Sequence, residues 1–206
     1  MNNKEKVSYC IGLEAGRSLR NQFSDMDLQF VIEGFQDAFS DAPLKLQDEE
    51  IRSVLTALSQ QIASQQKQFL SKLAEENRTA GESFLSENKK KEGITTLTSG
   101  LQYKIMSSGR GTSSPTILDV VTTHYRGMFI DGKEFDNSYV RGKPAAFPVN
   151  RVIAGWSEAL QKMKIGDKWQ LFVPSYLAYG EAGFGNQIGP NCTLVFEMEL
   201  LGINDA

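Results

Sequence analysis

The hydrophobic residues in the first half of the chain recur at helical spacing. Two sets of them predict two helices, the second one short and preceded by the N-capping candidate Asp27. The first set comprises Val7, Ile11, Ala15 and Leu19, and the second comprises Phe30, Ile32, Phe35 and Phe39. A unit this small rarely buries enough apolar surface by itself. We therefore expect the helices either to pair with a second copy of the chain or to fold back onto the rest of it.

A third, long helix is predicted at about residues 47–92, after a loop at residues 41–43. At ~1.5 Å per residue such a helix would reach about 65 Å. Its early part carries an apolar stripe of Ile51, Val54, Leu55, Leu58 and Ile62. Residues 65–91 are mostly polar, as in helices that bridge two domains. We expect the early part to pack and the later part to be largely exposed, and we assign residues 1–92 to a helical dimerisation domain.

Beyond that helix the pattern changes to the two-residue alternation of β-strands. Strands are predicted at residues 101–105, 120–128, 168–173 and 193–201, with an Asp-Gly hairpin turn at residues 131–132. One short helix begins near Arg151, ends at Gly166 and carries on one side Ile153, Trp156, Leu160 and Met163. The sequence predicts an α+β fold over residues 93–206, in which a twisted antiparallel β-sheet wraps one short helix.

Composition and charge argue against several classes of function. Of the 206 residues 40% are hydrophobic, and 22 basic against 25 acidic side chains give a net charge of -3. This balance gives no electrostatic reason to expect nucleic acid or an anionic membrane as partner, and no run is long enough to span a bilayer. The glycines of residues 180–185 lack the spacing of a nucleotide-binding loop. We expect no metal and no cofactor.

The cysteines and the start of the chain bear on the compartment. Cys10 and Cys192 are too few and too far apart for a disulfide scaffold or a zinc site, which favours a reducing compartment. The first apolar stretch is interrupted at once by Gly12 and Glu14, unlike a secretory signal. We therefore expect a cytoplasmic protein.

Five motifs of the second half stand in the order and spacing of one known family. They are His124 to Gly127, Asp131 to Asp136, Val152 to Trp156, Leu177 to Gly180 and Thr193 to Phe196. By these motifs residues 101–203 resemble the FKBP-type peptidyl-prolyl cis/trans isomerases. Residues 7–16 and the long helix resemble the Mip-like, homodimeric bacterial subgroup. The resemblance therefore extends over nearly the whole chain.

This resemblance implies an FKBP-like fold with an aromatic cavity. Its floor is Trp156, and its walls are Tyr125, Phe135, Phe147, Val152, Ile153, Tyr179, Ile188 and Phe196. The resemblance implies that Tyr125, Phe135, Asp136, Trp156, Tyr179 and Phe196 are the catalytic residues, and that the others bind substrate. Phe184, in a flexible flap beside the cavity, is expected to contact the residue next to the target proline. Ala145 replaces a further aromatic of some members, and Gly189 a second proline, which bears on ligand preference.

Asp136 is the single charge expected at the rim of this cavity. A carboxylate half-buried among aromatic rings needs a partner, and the candidates are the Tyr125 hydroxyl and Arg141. Asp136 then either orients the pocket or serves only as a structural anchor. His124 alternates with Tyr125 and is expected on the opposite face of its strand. A nucleophilic pair of Cys192 and His124 would need a third orienting group, and none is apparent in the sequence.

Two functions follow from this site. The first is an isomerase that acts on Xaa-Pro bonds of unfolded or partly folded proteins, with the helical half forming a homodimer that holds the substrate protein. The second is a non-catalytic chaperone or adaptor whose pocket only grips proline or a macrolide. The resemblance implies macrolide inhibitors of the FK506 and rapamycin type as ligands of the same pocket.

Overall fold

The computed structural model of this chain describes residues 1–23, 25–40 and 42–204. These residues form two compact units, Met1–Gln61 and Ile62–Ala206. Asp41, which the sequence analysis places in a loop, lies outside the described residues. The assignment of residues 1–92 and 93–206 to two domains stays a prediction.

The first unit consists of helices with clear start signals. Helix α1 spans Asn3–Gln22, α2 spans Leu28–Ser40, and α3, whose first part belongs to this unit, spans Asp48–Asn88. Asn2 caps α1 in a reciprocal capping box with Glu5, and the Asp27 carboxylate accepts from the backbone N–H of Gln29 at the start of α2. No described residue of α1 or α2 is buried. Within the described ranges, no helix is both long and apolar enough for a membrane crossing.

The second unit is built on one antiparallel sheet. Its strands are β1 (Ile94–Thr96), β2 (Gln102–Ser107), β3 (Val120–Phe129), β4 (Glu134–Asn137), β5 (Ala145–Pro148), β6 (Lys168–Val173) and β7 (Leu194–Asn204). Hydrogen bonds order the strands β1-β2-β6-β7-β3-β4, and β5 also pairs with β3. A short helix, α4, spans Ala154–Leu160. This is the FKBP-like α+β arrangement that the sequence predicts.

The inner face of the sheet wraps α4. Alternate residues of β3 point inward, among them Val121, Thr123 and Tyr125. Val121 and Tyr125 belong to the main core together with Trp156, Leu160 and residues of β6 and β7, and Thr123 is fully buried. A single helix therefore fills the concave side of the sheet and brings Trp156 beneath it.

The outer face of the sheet is covered by the second part of α3. Phe172, Val195 and Met128 stand side by side across β6, β7 and β3. Phe84 and Leu85 of α3 pack against this row, and the Phe84 and Phe172 ring centroids lie 6.0 Å apart. The rest of the later part of α3 is largely exposed, as expected, with Phe84 and Leu85 among the exceptions. The early apolar stripe, which was expected to pack, is largely exposed in the single chain, with Val54 55% and Leu55 56% exposed. Periodicity did not show which residues of α3 make contact, because few of its side chains do.

A buried amide pair fixes the end of α3. Asn88 is 1% exposed and Gln102 is 3% exposed. The Asn88 amide donates to Gln102 Oε1 at 3.0 Å, and the Gln102 amide donates to the Leu85 carbonyl at 2.9 Å. Buried polar groups are tolerated where they are paired in this way. The pair therefore locks α3 to β2.

The strands β1, β4 and β5 were not predicted because segments of three or four residues are too short to show alternation.

Helix α4 is shorter than the helix predicted between Arg151 and Gly166. It begins at Ala154, and Met163 lies beyond its last residue, Leu160. Gly166 takes the expected left-handed conformation, with φ 90°.

We expect Asn88→Ala to lower the free energy of unfolding by about 1–3 kcal/mol, because the buried Gln102 carbonyl loses its donor. Urea denaturation measures this change. The matched control is Glu87→Ala, which removes only a surface ion pair with Lys90 and should stay within about 0.5 kcal/mol of wild type. Equal stability of the two variants would show that the amide pair does not anchor the helix.

Candidate active site

A cavity of about 300 Å³ opens on the inner side of the sheet, at the start of α4. Strands β3, β4, β5 and β7, the N-terminal end of α4 and the loop after β6 all contribute side chains to it. Its lining residues are Tyr125, Phe135, Asp136, Phe147, Arg151, Val152, Ile153, Trp156, Tyr179, Phe184 and Phe196. Ten of these are among the eleven residues that the sequence analysis proposed. The structure therefore brings together residues from six separate segments of the chain.

Trp156 lies at the centre of the ring cluster. Three rings meet its indole at steep angles, with centroid distances of 5.0 Å to Tyr125, 5.6 Å to Phe147 and 5.0 Å to Phe196. Tilted and edge-to-face contacts of this kind are the favoured arrangement of aromatic pairs. Only 6% of Trp156 is exposed, so packing fixes its position on the sides that do not border the cavity.

A β-bulge lets two neighbouring residues of β4 reach the same cavity. Gly127 pairs with Asp136 but Met128 pairs with Glu134, so Phe135 is an extra residue opposite β3. In a regular strand Phe135 and Asp136 would point to opposite faces. The bulge re-aims them, and both line the cavity.

Gly127 makes room for the re-aimed ring. A Cβ at this position would lie 2.7 Å from the Phe135 ring and 3.0 Å from the Phe196 ring. Those two rings meet at 89° with centroids 5.8 Å apart. The wall formed by Phe135 and Phe196 therefore depends on the absence of a side chain at residue 127.

The Asp136 carboxylate has two partners, a hydrogen-bond donor and a cation that neutralises its charge. The Tyr125 hydroxyl donates to Asp136 Oδ2 at 2.5 Å, and the Arg141 guanidinium pairs with Oδ1. Arg141 Nη2 also donates to the Tyr125 hydroxyl oxygen at 2.9 Å, and its guanidinium lies over the Tyr125 ring. Both partners considered for Asp136 are therefore engaged. Burial and the hydrogen bond to Asp136 raise the pKa of Tyr125 above its usual range, so its hydroxyl stays protonated at neutral pH.

Tyr179 and Phe184 form the remaining side of the cavity. Their rings stack with centroids 4.9 Å apart, and Phe184 is 57% exposed. Burial, followed by the charge of Asp136, raises the pKa of Tyr179. Within the described part of the chain the Tyr179 hydroxyl has no hydrogen-bond partner. It is therefore a protonated donor available to a ligand.

Two residues differ from the expected site. Ile188 does not line the cavity; it is 4% exposed, belongs to the core and pairs through its backbone with Phe184. Arg151 lines the cavity but was missed, because its place in the short turn Val149–Arg151 gives it no pattern that marks a site.

The other candidate chemistry lies elsewhere. His124 is on the opposite face of β3 from Tyr125, where its Nδ1 hydrogen bonds with the Ser138 hydroxyl at 2.9 Å and its ring stacks on Tyr139. Cys192 lies beside Gly189, and burial raises the pKa of its thiol. Among the described residues no group of three or more His, Cys, Asp or Glu side chains is placed to hold a metal ion.

Comparison with known protein families gives two matches. Residues 4–105 match the model of the domain amino terminal to FKBP-type peptidyl-prolyl isomerase. Residues 111–201 match the model of the FKBP-type peptidyl-prolyl cis-trans isomerase. The two models together span nearly the whole chain.

Individual relatives agree with these matches. The chain is 39% identical over 212 residues to the FKBP-type peptidyl-prolyl cis-trans isomerase FkpA of Escherichia coli K12, covering 100% of this chain and 77% of the relative. The crystal structure of FkpA from Escherichia coli has a TM-score of 0.78 at 40% identity, with 100% of this chain and 98% of that chain covered. The isomerase from Pseudomonas syringae pv. tomato matches with a TM-score of 0.59 at 37% identity, over 64% of this chain and 96% of its own.

The expected cytoplasmic location is wrong. The chain is 44% identical over 204 residues to the outer membrane protein MIP of Legionella longbeachae, covering 99% of this chain and 87% of the relative. The expectation rested on cysteine count and on the first residues of the chain. The cysteine count does not identify a compartment, because a fold without disulfides forms in oxidising and reducing surroundings alike. The first residues of the chain do not identify one either.

We expect Gly127→Ala to displace the Phe135 ring, because the added methyl group has no room. The variant should lose about 1–3 kcal/mol of stability, as overpacked cores do, and its near-ultraviolet circular dichroism should change. Gly202→Ala is the control, since a Cβ there meets nothing within 4 Å and the backbone is in an ordinary conformation. An unchanged aromatic spectrum in the Gly127 variant would contradict the packing described for Phe135.

Proposed function

This chain belongs to the FKBP-type peptidyl-prolyl cis-trans isomerases, and we propose that it catalyses rotation about Xaa-Pro bonds in the cavity above Trp156. The chain is an enzyme, as relatives 39% identical to it are named isomerases. The alternative of a non-catalytic chaperone or adaptor, whose pocket only binds proline or a macrolide, is therefore wrong. The observation that carries the proposed site is a cavity walled by aromatic rings whose one carboxylate is already neutralised.

The chemistry asks for little more than such a cavity. Rotation about a peptide bond meets a barrier of about 18–20 kcal/mol because the C–N bond has partial double-bond character. That resonance is lost in the twisted transition state, whose carbonyl is less polar. An apolar pocket thus disfavours the planar, solvated ground state more than the twisted amide. Lowering the barrier by about 7 kcal/mol accelerates the step by about five powers of ten, with no nucleophile.

The rings and the polar groups then have distinct parts in this proposal. Trp156 supplies the floor on which the prolyl ring rests, with Phe135 and Phe196 beside it. Asp136 holds Tyr125 and Arg141 in place and, being paired, adds little net charge to the apolar cavity. Tyr179 donates its free hydroxyl to the carbonyl of the substrate. The same features suit a macrolide that mimics a prolyl peptide.

We expect Tyr179→Phe to lower kcat/KM between about two- and tenfold, which is the value of one neutral hydrogen bond. An isomerisation assay on a short Xaa-Pro peptide measures it. Because the pKa of Tyr179 is raised, the wild-type rate should not fall through deprotonation of this hydroxyl up to at least pH 9.

The control for this variant is Tyr176→Phe. Tyr176 is three residues away and outside the cavity, where its hydroxyl donates to the Ser99 carbonyl at 3.0 Å. It should keep the wild-type rate. If both variants were equally active, the hydroxyl of Tyr179 would have no part in the reaction.

The first unit supports a homodimer. Helices α1 and α2 leave an apolar groove of about 780 Å³ open between them. Apolar residues lining it include Ile11, Leu19, Val31, Ile32, Phe35 and Phe39. Phe39 is 88% exposed and Phe35 is 48% exposed. Soluble proteins rarely leave an apolar patch of this kind uncovered.

Glycines in these helices indicate what covers the groove. Gly12 and Gly16 line it one turn apart, although each costs about 1 kcal/mol relative to Ala inside a helix. A Cβ at either residue would meet nothing within 4 Å, so this chain gives no steric reason for glycine there. A second copy whose helix approaches closely supplies such a reason, and a two-fold contact lets each copy cover the other. The occupant of the groove is therefore a second copy of the chain.

A dimer also accounts for a role in holding unfolded proteins. Two catalytic units on one assembly keep a substrate chain close after one of its prolines is released. The second encounter is then intramolecular and has a raised effective concentration. We therefore infer that proline-containing, unfolded or partly folded proteins are the physiological substrates.

We expect Phe35→Glu to give a monomer, because a carboxylate in the apolar contact lacks a partner. Sedimentation velocity measures the assembly. The monomer should isomerise a short peptide at the wild-type rate, yet accelerate the proline-limited refolding of a protein severalfold less.

Gln36→Glu adds the same charge at an exposed residue outside the groove and should stay dimeric. A Phe35 variant that remains dimeric would remove the proposed interface. A monomer that supports refolding as well as wild type would remove the holding role.

A further inference from the structure

Helix α3 contacts the loop that borders the cavity, within the unit formed by residues 62–206. The Asn77 side-chain amide donates to the carbonyl of Pro190 at 2.8 Å across 113 residues of sequence. Close by, the Asn191 side-chain amide donates to the Ala74 carbonyl at 3.4 Å. One side-chain amide of the helix and one of the loop thus join these two segments.

The approach of the helix to the loop is unusually close. Gly81 is buried, and a Cβ on it would lie 2.3 Å from Thr193 Oγ1. A glycine inside a helix is unfavourable by itself, so its place here reflects the contact with Thr193. The section of α3 from Ala74 to Gly81 therefore seats against residues 190–193.

Residues 180–191, which we call the flap, are closed at their base by the same segment. The Asn191 N–H donates to the Gly180 carbonyl at 2.8 Å, with Asn191 in the left-handed conformation at φ 56°. Nearer the tip, Phe184 and Ile188 exchange two backbone hydrogen bonds of 2.8 and 3.1 Å. The base of the flap thus lies one residue after Tyr179, and its tip carries Phe184.

The hydrogen bond from Asn77 to Pro190 restricts movement of the flap, because there is open space beside it. A cleft of about 750 Å³ lies between α3 and the flap, bordered by Leu70 and Arg78 on one side and by Glu181 and Pro190 on the other. The flap therefore has room to move toward the helix. The hydrogen bond from Asn77 ties its base at one end of that space.

We propose that Asn77 is a positioning residue of the isomerase site, through which α3 holds the flap so that Phe184 contacts the residue next to the substrate proline. This inference rests on the proposed cavity around Trp156. Asn77 touches neither the cavity nor the substrate; it acts through Pro190, Asn191 and Gly180. The long helix is thereby a part of the catalytic unit as well as a connection to the first unit.

Rotation about the Xaa-Pro bond turns the residue before proline relative to the prolyl ring. The contact proposed for Phe184 is with the side chain of that residue, which lies outside the reacting amide and is held by the flap in the planar and the twisted state alike. Losing an interaction that is equal in both states raises KM and leaves kcat unchanged. Freeing the flap should therefore act on KM, and most strongly for substrates with a large apolar residue before proline.

The test is Asn77→Asp in the full-length chain. This change keeps the size of the side chain but removes the N–H that Pro190 accepts. We expect KM for a Leu-Pro peptide to rise about three- to tenfold with kcat within twofold, and KM for a Gly-Pro peptide to change less. Magnetisation-transfer NMR gives kcat and KM separately. Hydrogen exchange should quicken at the amides of Phe184 and Asn191 and stay unchanged in β3 and β7.

Gln65→Glu is the control, since it makes the same chemical change at an exposed residue of α3. It should match wild type in every measurement. Gly81→Ala is a second, independent perturbation, because its methyl group pushes Thr193 away from the helix, and it should shift KM in the same direction. Melting temperatures identify any variant that fails to fold.

An unchanged KM in both variants would overturn the proposal, as would a loss confined to kcat. Its failure is distinct from that of the cavity itself. If Tyr179→Phe has no effect while Asn77→Asp raises KM, the hydrogen bond proposed for Tyr179 is absent but the positioning role stands.

Discussion

The packing of aromatic rings against Trp156 is the interaction on which the rest of the structure depends. Three rings from three different strands meet the indole within 6 Å. Such a cluster requires α4 to lie inside a strongly curved sheet, a bulge that turns Phe135 inward and a residue without a side chain at position 127. The cavity is therefore the place where close packing of this cluster stops, and the rings of Trp156 and Phe196 that border it are themselves buried.

The polar groups are arranged so that this cavity stays apolar. Asp136 would be costly among rings if it were unpaired. Tyr125 and Arg141 occupy both of its oxygens, and burial keeps Tyr125 and Tyr179 protonated. Catalysis of a rotation needs no proton transfer, so the network serves geometry. Among the described residues, two polar groups of the cavity lining without a hydrogen-bond partner are the hydroxyl of Tyr179 and the buried indole N–H of Trp156.

Helix α3 serves two units with different residues of one continuous element. Val54 and Leu55 in its first part are more than half exposed, at 55% and 56%. Its second part is bound to the sheet by Phe84, Leu85 and Asn88, and to the flap by Asn77 and Gly81. Helical composition describes both parts equally well, because propensity is local and the contacts are made by few side chains.

The sequence by itself determined the helical first half, the longer strands and the α+β class, because periodicity is a local property of the chain, and its resemblance to a known family implied ten of the residues around the cavity. Only the tertiary structure decided how neighbours such as Phe135 and Asp136 share one face, what the glycine at residue 127 makes room for, and that Ile188 belongs to the core and not to the cavity lining. The same holds for Arg151 and Asn77. Their positions depend on a bulge, a turn and a contact across 113 residues, and no spacing along the chain encodes these.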